Sequence, residues 1–161
     1  MVSFVLVHGG AHGAWCWDRL IPFLEHPALA IDLPGRGSSP ADLGTVTTDD
    51  WADAVTERVE SVSGEVVLVG HSLAGITLPR VADRVSKRLA HLVWISCGVP
   101  PEGKATLDVL SAESAPIAAA ARENSEGSTL PEAIARQMFC NDMNEKQARF
   151  VLDRLVPEAW G

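Results

Sequence analysis

One short stretch, residues 66–76, constrains the fold of this chain more than any other part of the sequence. Four apolar residues, 66–69, have the composition of a buried strand, and a tight turn centred on Ser72 follows them, with a helical pattern behind it. The residues two before and two after the serine, Gly70 and Ala74, are small, as is required where a strand and a helix approach closely. The pattern predicts a strand, a strained turn that exposes the Ser72 hydroxyl, and a helix. It is therefore typical of a nucleophilic serine, although a structural turn without chemistry fits the same letters.

The rest of the first hundred residues alternates between strand and helix patterns. Short apolar runs predict further strands at residues 2–7, 28–32 and 92–95. Apolar residues at helical spacing predict helices over residues 15–25, from Thr47 onward with Asp50 at the capping-box distance, and over residues 73–88. Pro79 lies inside the last of these and predicts a local kink. This order predicts an α/β fold with a doubly wound parallel sheet that is covered on both faces.

The pattern changes after residue 100, where no further strand is predicted. Weak helical character covers residues 117–122, Pro131 opens another helix, and Asn144 is placed to cap a third. We therefore expect residues 1–100 to form the core and residues 101–161 to form a helical cap segment over the carboxyl edge of the sheet. Four apolar residues of the cap are candidates for a pocket lining, although their spacing fits core packing better: Leu107, Leu110, Met138 and Phe139.

A glycine-rich loop, His-Gly-Gly-Ala-His-Gly-Ala-Trp at residues 8–15, follows the first strand. Acyl transfer needs two hydrogen-bond donors where negative charge develops on the substrate oxygen. The backbone N–H of Leu73, the residue after the serine, is one candidate. The N–H of Gly10 is the second, with Ala11 as the alternative. The glycine spacing matches neither of the common phosphate-binding loops, which argues against a nucleotide site.

The histidines near these motifs are weak candidates for a catalytic base. His8 ends the first strand and is expected to brace the loop by hydrogen bonding. His71 adjoins Ser72, so its side chain is expected to point away from the hydroxyl. The remaining histidines are predicted to lie at the surface or to pack: His12, His26 and His91.

Composition excludes several classes of function. The chain has 161 residues and a net charge of −8, which argues against binding to nucleic acid or to anionic membranes. Its three cysteines are far apart and have no metal-binding spacing, so neither a metal nor another cofactor is expected. No signal peptide or bilayer-spanning apolar run is recognisable, so a cytoplasmic location is expected by default.

Four motifs together resemble the α/β-hydrolase superfamily, in the branch that contains plant methylesterases and hydroxynitrile lyases. They are residues 8–15, Asp-Leu-Pro-Gly-Arg-Gly at 32–37, Gly-His-Ser-Leu-Ala-Gly at 70–75 and Phe-Cys-Asn-Asp at 139–142. The resemblance implies that Ser72 attacks an acyl carbon, that the amides of Gly10 and Leu73 bind the oxyanion, and that the substrate is a small ester. Lyases of this branch tend to carry threonine at the position of Gly9 and cysteine at that of Leu73, so esterase is favoured over lyase.

The acid and histidine of a catalytic triad are not recognisable in the chain. In this fold they follow the serine in the order Asp/Glu and then His. Glu102 is the acid nearest to the fourth strand, and it lies in a predicted loop. Asp142 and Asp153 lie in the predicted cap helices, and neither is expected to orient a histidine. We therefore expect an incomplete, C-terminally truncated hydrolase fold, weak or absent activity, and self-association through the open edge of the fourth strand. A lyase on the same fold and a silent small-ligand-binding module stay as alternatives.

Overall fold

A computed structural model describes residues 1–106 and 129–158 of the chain. Its centre is a four-stranded, all-parallel sheet in the order β2-β1-β3-β4. The strands are β1 (Val2–Val7), β2 (Ala28–Ile31), β3 (Glu65–His71) and β4 (Leu89–Ile95). All four overlap the apolar runs that predict them, although β4 begins at Leu89 and not at Leu92, and the parallel α/β architecture is confirmed.

The register of the sheet brings the motif residues to one edge. Val7 at the end of β1 pairs with Ile31 on one side and with Gly70 on the other. The residues that follow these strands, among them His8, Asp32 and Ser72, therefore emerge at the same carboxyl edge. Ligand sites in open α/β sheets lie at this edge.

Helices α1 (Thr48–Ser61) and α2 (Leu78–Val85) pack on one face of the sheet. Because side chains alternate along a strand, Val5 and Val7 of β1 enter this core, whereas Leu6 faces the opposite side. There it packs in a smaller cluster with Trp17. Both faces of the sheet are therefore covered, as predicted.

The start of α1 is a capping box, as the sequence predicts. The N–H of Asp50 donates to Oγ1 of Thr47 at 3.2 Å, and the Asp50 carboxylate accepts from the Thr47 N–H at 2.8 Å. Behind this cap, Trp51, Val55 and Val59 are buried in the core. A local signal thus fixes both the beginning of the helix and the face that it buries.

The continuous helix predicted over residues 15–25 is wrong. Two short 3₁₀ segments occupy this region, Ala14–Trp17 and Ile21–Phe23. Pro22 lacks an N–H, and its ring would clash with the carbonyl four residues earlier, so an α-helix cannot continue through it. The apolar stripe is still used, since Trp17 is buried and Ile21 packs against the same cluster.

The helix predicted over residues 73–88 is divided into three parts. A 3₁₀ segment, Ser72–Ile76, is followed by α2, and a second 3₁₀ segment, Ser86–Arg88, ends the run. Pro79 lies in the first turn of α2, where its missing N–H leaves no bond unmade. The expected kink is therefore a break between two helical segments, at Thr77.

The cap segment contributes helices α3 (Glu132–Phe139) and α4 (Glu145–Leu152). Pro131 precedes the first, and Asn144 caps the second in a box with Gln147, as predicted. Residues 129–158 form a helical pair without a strand. Three cap predictions lie outside the described residues: the segment 117–122, Leu107 and Leu110.

Where the core ends and the cap begins stays a prediction, as does the cytoplasmic location. Within the two described ranges, no helix has both the length and the apolar character needed to cross a bilayer.

Candidate active site

Ser72 occupies a strained position at the carboxyl end of β3. Its φ is +51°, in the left-handed region that non-glycine residues seldom adopt. Such a residue costs on the order of 1–3 kcal/mol and persists only where its surroundings hold it. Directly behind it, the 3₁₀ segment Ser72–Ile76 leads toward α2. This is the sharp strand-to-helix turn that the sequence predicts.

Small residues around the turn allow the strand and the helix to approach. A Cβ added to Gly70 would lie 2.5 Å from Cδ2 of Leu78 and 3.0 Å from Cβ of Ala74. Ala74 is itself buried, and its methyl group fits the available space. The structure thus explains why glycine is favoured at position 70, while alanine is accommodated at position 74.

The loop after β1 lies directly against this turn. A Cβ on Gly9 would lie 3.0 Å from Cβ of Ser72 and 2.9 Å from Nδ1 of His71. A Cβ on Gly10 would lie 3.4 Å from Cδ2 of Leu73. The two glycines therefore let the loop backbone approach the serine, and the three predicted site residues, Ser72, Gly10 and Leu73, are brought together.

His8 braces the loop, as predicted, and is not available as a base. Its side chain is 1% exposed. The Leu33 N–H donates to Nε2 at 3.2 Å, so the ring proton is on Nδ1, which donates to the carbonyl oxygen of Gly9 at 2.8 Å. Burial lowers the pKa of His8 to about 4. The ring is therefore neutral at physiological pH, with both nitrogens engaged.

Asp32 supports the same loop from the end of β2. Its carboxylate accepts hydrogen bonds from the N–H of Ala14 at 2.7 Å and from the N–H and hydroxyl of Ser38, each at 2.9 Å. Burial opposes ionisation, yet these hydrogen bonds keep the pKa of the Asp32 carboxyl below its ordinary value. The negative charge is therefore retained as an acceptor that joins the loop to the turn after β2.

His12 packs, as predicted, but it contacts the loop and the cap together. Its Nδ1–H donates to the Gly10 carbonyl at 2.7 Å. The ring stacks on Trp15 with centroids 5.2 Å apart and meets the Phe139 ring edge-on at 4.8 Å. Burial lowers its pKa. His26 and His91 are exposed, as expected.

A cavity of about 400 Å³ lies between the loop and the cap helices. Its walls are mainly aromatic and sulfur-containing, and they include both Met138 and Phe139, so these two cap residues line a pocket. His71 also lines the cavity, and burial lowers the pKa of this histidine. Ser72 is the next residue but is not itself in the cavity wall.

A buried ion pair beside the loop has no counterpart in the sequence predictions. Arg36 donates from Nη2 to Oε1 of Glu158, and the two residues are 2% and 0% exposed. The other carboxylate oxygen of Glu158 accepts the N–H of Ala11 at 2.7 Å. Arg36 belongs to the motif at residues 32–37, which is the one sequence feature that could have indicated this ion pair. Glu158 belongs to no recognisable motif. The N–H of Ala11, the alternative oxyanion donor considered from the sequence, is therefore engaged by Glu158.

Similarity to known proteins shows the family to which the chain belongs. The sequence model of the alpha/beta hydrolase family matches residues 4–160. The chain belongs to this family.

Among curated relatives of the chain, Methylesterase 9 of Arabidopsis thaliana is 37% identical over 106 residues, covering 62% of the chain and 41% of the relative. Putative methylesterase 14, chloroplastic, from the same plant is 32% identical over 117 residues, covering 69% and 34%. The chain thus spans less than half the length of these relatives.

Solved structures agree on the fold. An extracellular alpha/beta-hydrolase from a Paenibacillus species superposes with a TM-score of 0.86 at 25% identity, and the match covers 99% of the present chain and 67% of the Paenibacillus chain. Polyneuridine aldehyde esterase superposes with a TM-score of 0.80 at 23% identity, covering 99% and 70%. The predicted hydrolase fold, incomplete relative to these structures, is confirmed.

The three acids considered from the sequence lie at the surface. Glu102 and Asp142 are exposed. Asp153 is exposed and pairs with Arg149 at 3.6 Å. In the part of the chain that the structure describes, no group of three His, Cys, Asp or Glu side chains is placed to hold a metal ion.

Proposed function

We propose that this chain carries the nucleophile of a carboxylesterase, with Ser72 attacking the acyl carbon of a small ester to form an acyl-enzyme. The observation that supports this most is the combination of a positive φ at Ser72 and two glycines, Gly9 and Gly10, in the loop that lies against the serine turn. A strained turn at a strand end exposes a serine hydroxyl to substrate, and the glycines of the loop leave space for the carbonyl group.

The hydrogen bonds of the loop backbone support the N–H of Gly10 as an oxyanion donor. The carbonyls of Gly9 and Gly10 accept from His8 and His12, and both backbone groups of Ala11 are engaged. The Gly10 N–H makes no hydrogen bond within residues 1–106 and 129–158. It is therefore free to donate to a substrate oxygen together with the Leu73 N–H at the start of its helical segment. Loss of one such donor costs about 3–4 kcal/mol of transition-state stabilisation.

The reaction also needs a base to take the serine proton, because an unassisted serine is a weak nucleophile at neutral pH. His8 and His12 use their Nδ1 protons to hold the loop. We infer that this chain alone turns over slowly or not at all, with an oxyanion hole and binding contributing about 10³–10⁴-fold over water.

We propose that the substrate is a small methyl ester whose acyl group is apolar. Two relatives are named methylesterases, and the cavity beside His71 has aromatic walls that include Trp15 and Phe139. The alternative lyase activity is disfavoured, because Gly9 has no side-chain hydroxyl and Leu73 has no thiol, whereas lyases of this branch tend to carry threonine and cysteine at these positions. A silent ligand-binding module is the alternative that the missing base favours.

Mass spectrometry of the chain after incubation with p-nitrophenyl acetate tests the proposal. We expect one acetyl group on Ser72, located by peptide mapping, and none there in Ser72→Ala. Ser61→Ala, which changes an exposed serine at the end of α1, is the matched control and should acetylate as the parent does. A folded chain that never acetylates at Ser72 would support the silent module.

A further inference from the structure

Ala11 adopts a backbone conformation that its side chain disfavours. Its φ is +58°, in the left-handed region where glycine is usual. The residue follows Gly10, so its conformation sets the direction in which the neighbouring peptide groups point. Something in the fold must therefore hold Ala11 in place.

Both backbone polar groups of Ala11 bond to one short segment at the end of the cap. Its N–H donates to Oε2 of Glu158 at 2.7 Å, and its carbonyl accepts from the N–H of Val156 at 2.9 Å. These two bonds fix the peptide groups on either side of the Ala11 Cα. The segment thus acts as a clamp on the loop, although it lies more than 140 residues away in sequence.

Arg36 makes it possible to bury the Glu158 carboxylate. A charged group enclosed in protein is costly unless it is paired. The Arg36 guanidinium pairs with Oε1 of Glu158 and lies over the Trp51 ring, with its Cζ 5.1 Å from the ring centroid. Within the described residues its Nε and Nη1 make no hydrogen bond. The arginine is therefore committed to balancing this one carboxylate.

The clamp is adjacent to the proposed oxyanion donors. A Cβ on Gly10 would lie 3.1 Å from Oε2 of Glu158 and 3.4 Å from Cδ2 of Leu73, so Gly10 lies between the carboxylate and the second donor residue. An unpaired carboxylate here would repel a developing oxyanion, whereas one neutralised by Arg36 would not.

We propose that Glu158 is a positioning residue: held by Arg36, it fixes Ala11 so that the Gly10 N–H is left unbonded and directed at the substrate oxygen. This rests on the proposed function of the loop. Glu158 does not touch the reacting atoms. A purely structural role, in which the ion pair only anchors the cap, would affect stability but not the reactivity of Ser72 in folded protein.

Two double variants isolate the hydrogen bond to Ala11. Arg36→Met with Glu158→Gln, and Arg36→Met with Glu158→Leu, both remove the buried charges and have similar volumes. Only the glutamine can accept the Ala11 N–H. If the double variants do not fold, the single variants Glu158→Gln and Glu158→Leu are compared at equal folded fraction, both of them with the charge of Arg36 retained.

Two measurements on the 161-residue chain decide the proposal: amide hydrogen exchange at Ala11 by NMR, and the rate at which a fluorophosphonate labels Ser72. We expect the glutamine variant to keep the Ala11 protection of the parent chain and the leucine variant to lose it. The leucine variant should also label about tenfold or more slowly at equal folded fraction, because small displacements of catalytic groups have effects of this order.

Equal protection of the Ala11 amide in the glutamine and leucine variants would overturn the positioning role. Equal labelling rates of the two variants would also overturn it, provided that the parent chain is labelled. If the parent chain does not label at all, the proposed nucleophile fails, and the exchange comparison alone decides whether Glu158 positions the loop.

Discussion

The backbone N–H of Leu33 donates to Nε2 of His8 across 3.2 Å, and this bond joins the turn after β2 to the residue that ends β1. It also fixes the protonation of the ring, since Nε2 must accept and Nδ1 must carry the proton donated to Gly9. Protonating Nε2 would break the bond to Leu33 in a site where the ring is 1% exposed.

Stability should therefore fall as the pH is lowered. Burial lowers the pKa of His8 from 6.5 to about 4 in the folded chain, so the unfolded chain binds the extra proton first. The contribution is fully present above pH 6.5 and is lost as the pH falls toward 4, by about 1.4 kcal/mol per pH unit and roughly 3 kcal/mol in total. His12 and His71, whose pKa values are also lowered by burial, act in the same direction.

Urea unfolding at pH 7 and pH 5 measures this loss in the parent chain and in two variants. His8→Asn should be less stable at pH 7 but should lose less stability on acidification. His26→Asn, which changes an exposed histidine, should keep the pH dependence of the parent chain. Equal pH dependence in His8→Asn and the parent would show that His8 is not buried in its neutral form.

Gly9→Ala should disturb both the loop and the reactivity of Ser72. The new methyl group would lie 3.0 Å from Cβ of Ser72, and the serine cannot move without leaving its turn. We expect a loss of about 1–3 kcal/mol in the free energy of unfolding, as for other overpacked sites. Labelling of Ser72 by a fluorophosphonate should slow in the same variant.

Gly98→Ala is the matched control for this substitution, because nothing lies within 4 Å of the Cβ that it adds. Chemical denaturation and labelling kinetics of the two variants provide the comparison. If Gly9→Ala behaved like Gly98→Ala, the close approach of the loop to Ser72 would be wrong.

The sequence predicts the sheet and the centre of the site because their signals are local. Each strand is a short apolar run, the cap of α1 lies within four residues, and the turn at Ser72 is specified by Gly70 and Ala74. The helix predicted over residues 15–25 does not form, because Pro22 prevents the α-helix that the apolar spacing alone indicates. The pair Arg36–Glu158 could not be predicted, because its members are 122 residues apart and meet only through the tertiary fold.

The exposed edge of β4 should make the chain self-associate. Val93, Trp94 and Ile95 are 37–38% exposed on a strand that has no outer neighbour among the described residues. An apolar strand edge is a template for pairing with another chain, and lysine on an edge opposes such pairing.

Sedimentation velocity over a range of concentrations tests this edge. Val93→Lys should shift the distribution toward monomer, whereas Phe23→Lys, at an apolar residue that is 82% exposed but outside the sheet, should leave it unchanged. A monomeric parent chain with a cooperative melt would contradict self-association through β4.

Fluorophosphonate labelling of Ser72 tests the central claim most directly, since it requires one attack by the serine on the reagent and not a complete turnover cycle. We predict that the folded chain is labelled at Ser72, however slowly, that Ser72→Ala is not labelled there, and that Ser61→Ala labels like the parent. A folded chain that stays unlabelled, or labelling that is undiminished in Ser72→Ala, would contradict the assignment of Ser72 as the nucleophile.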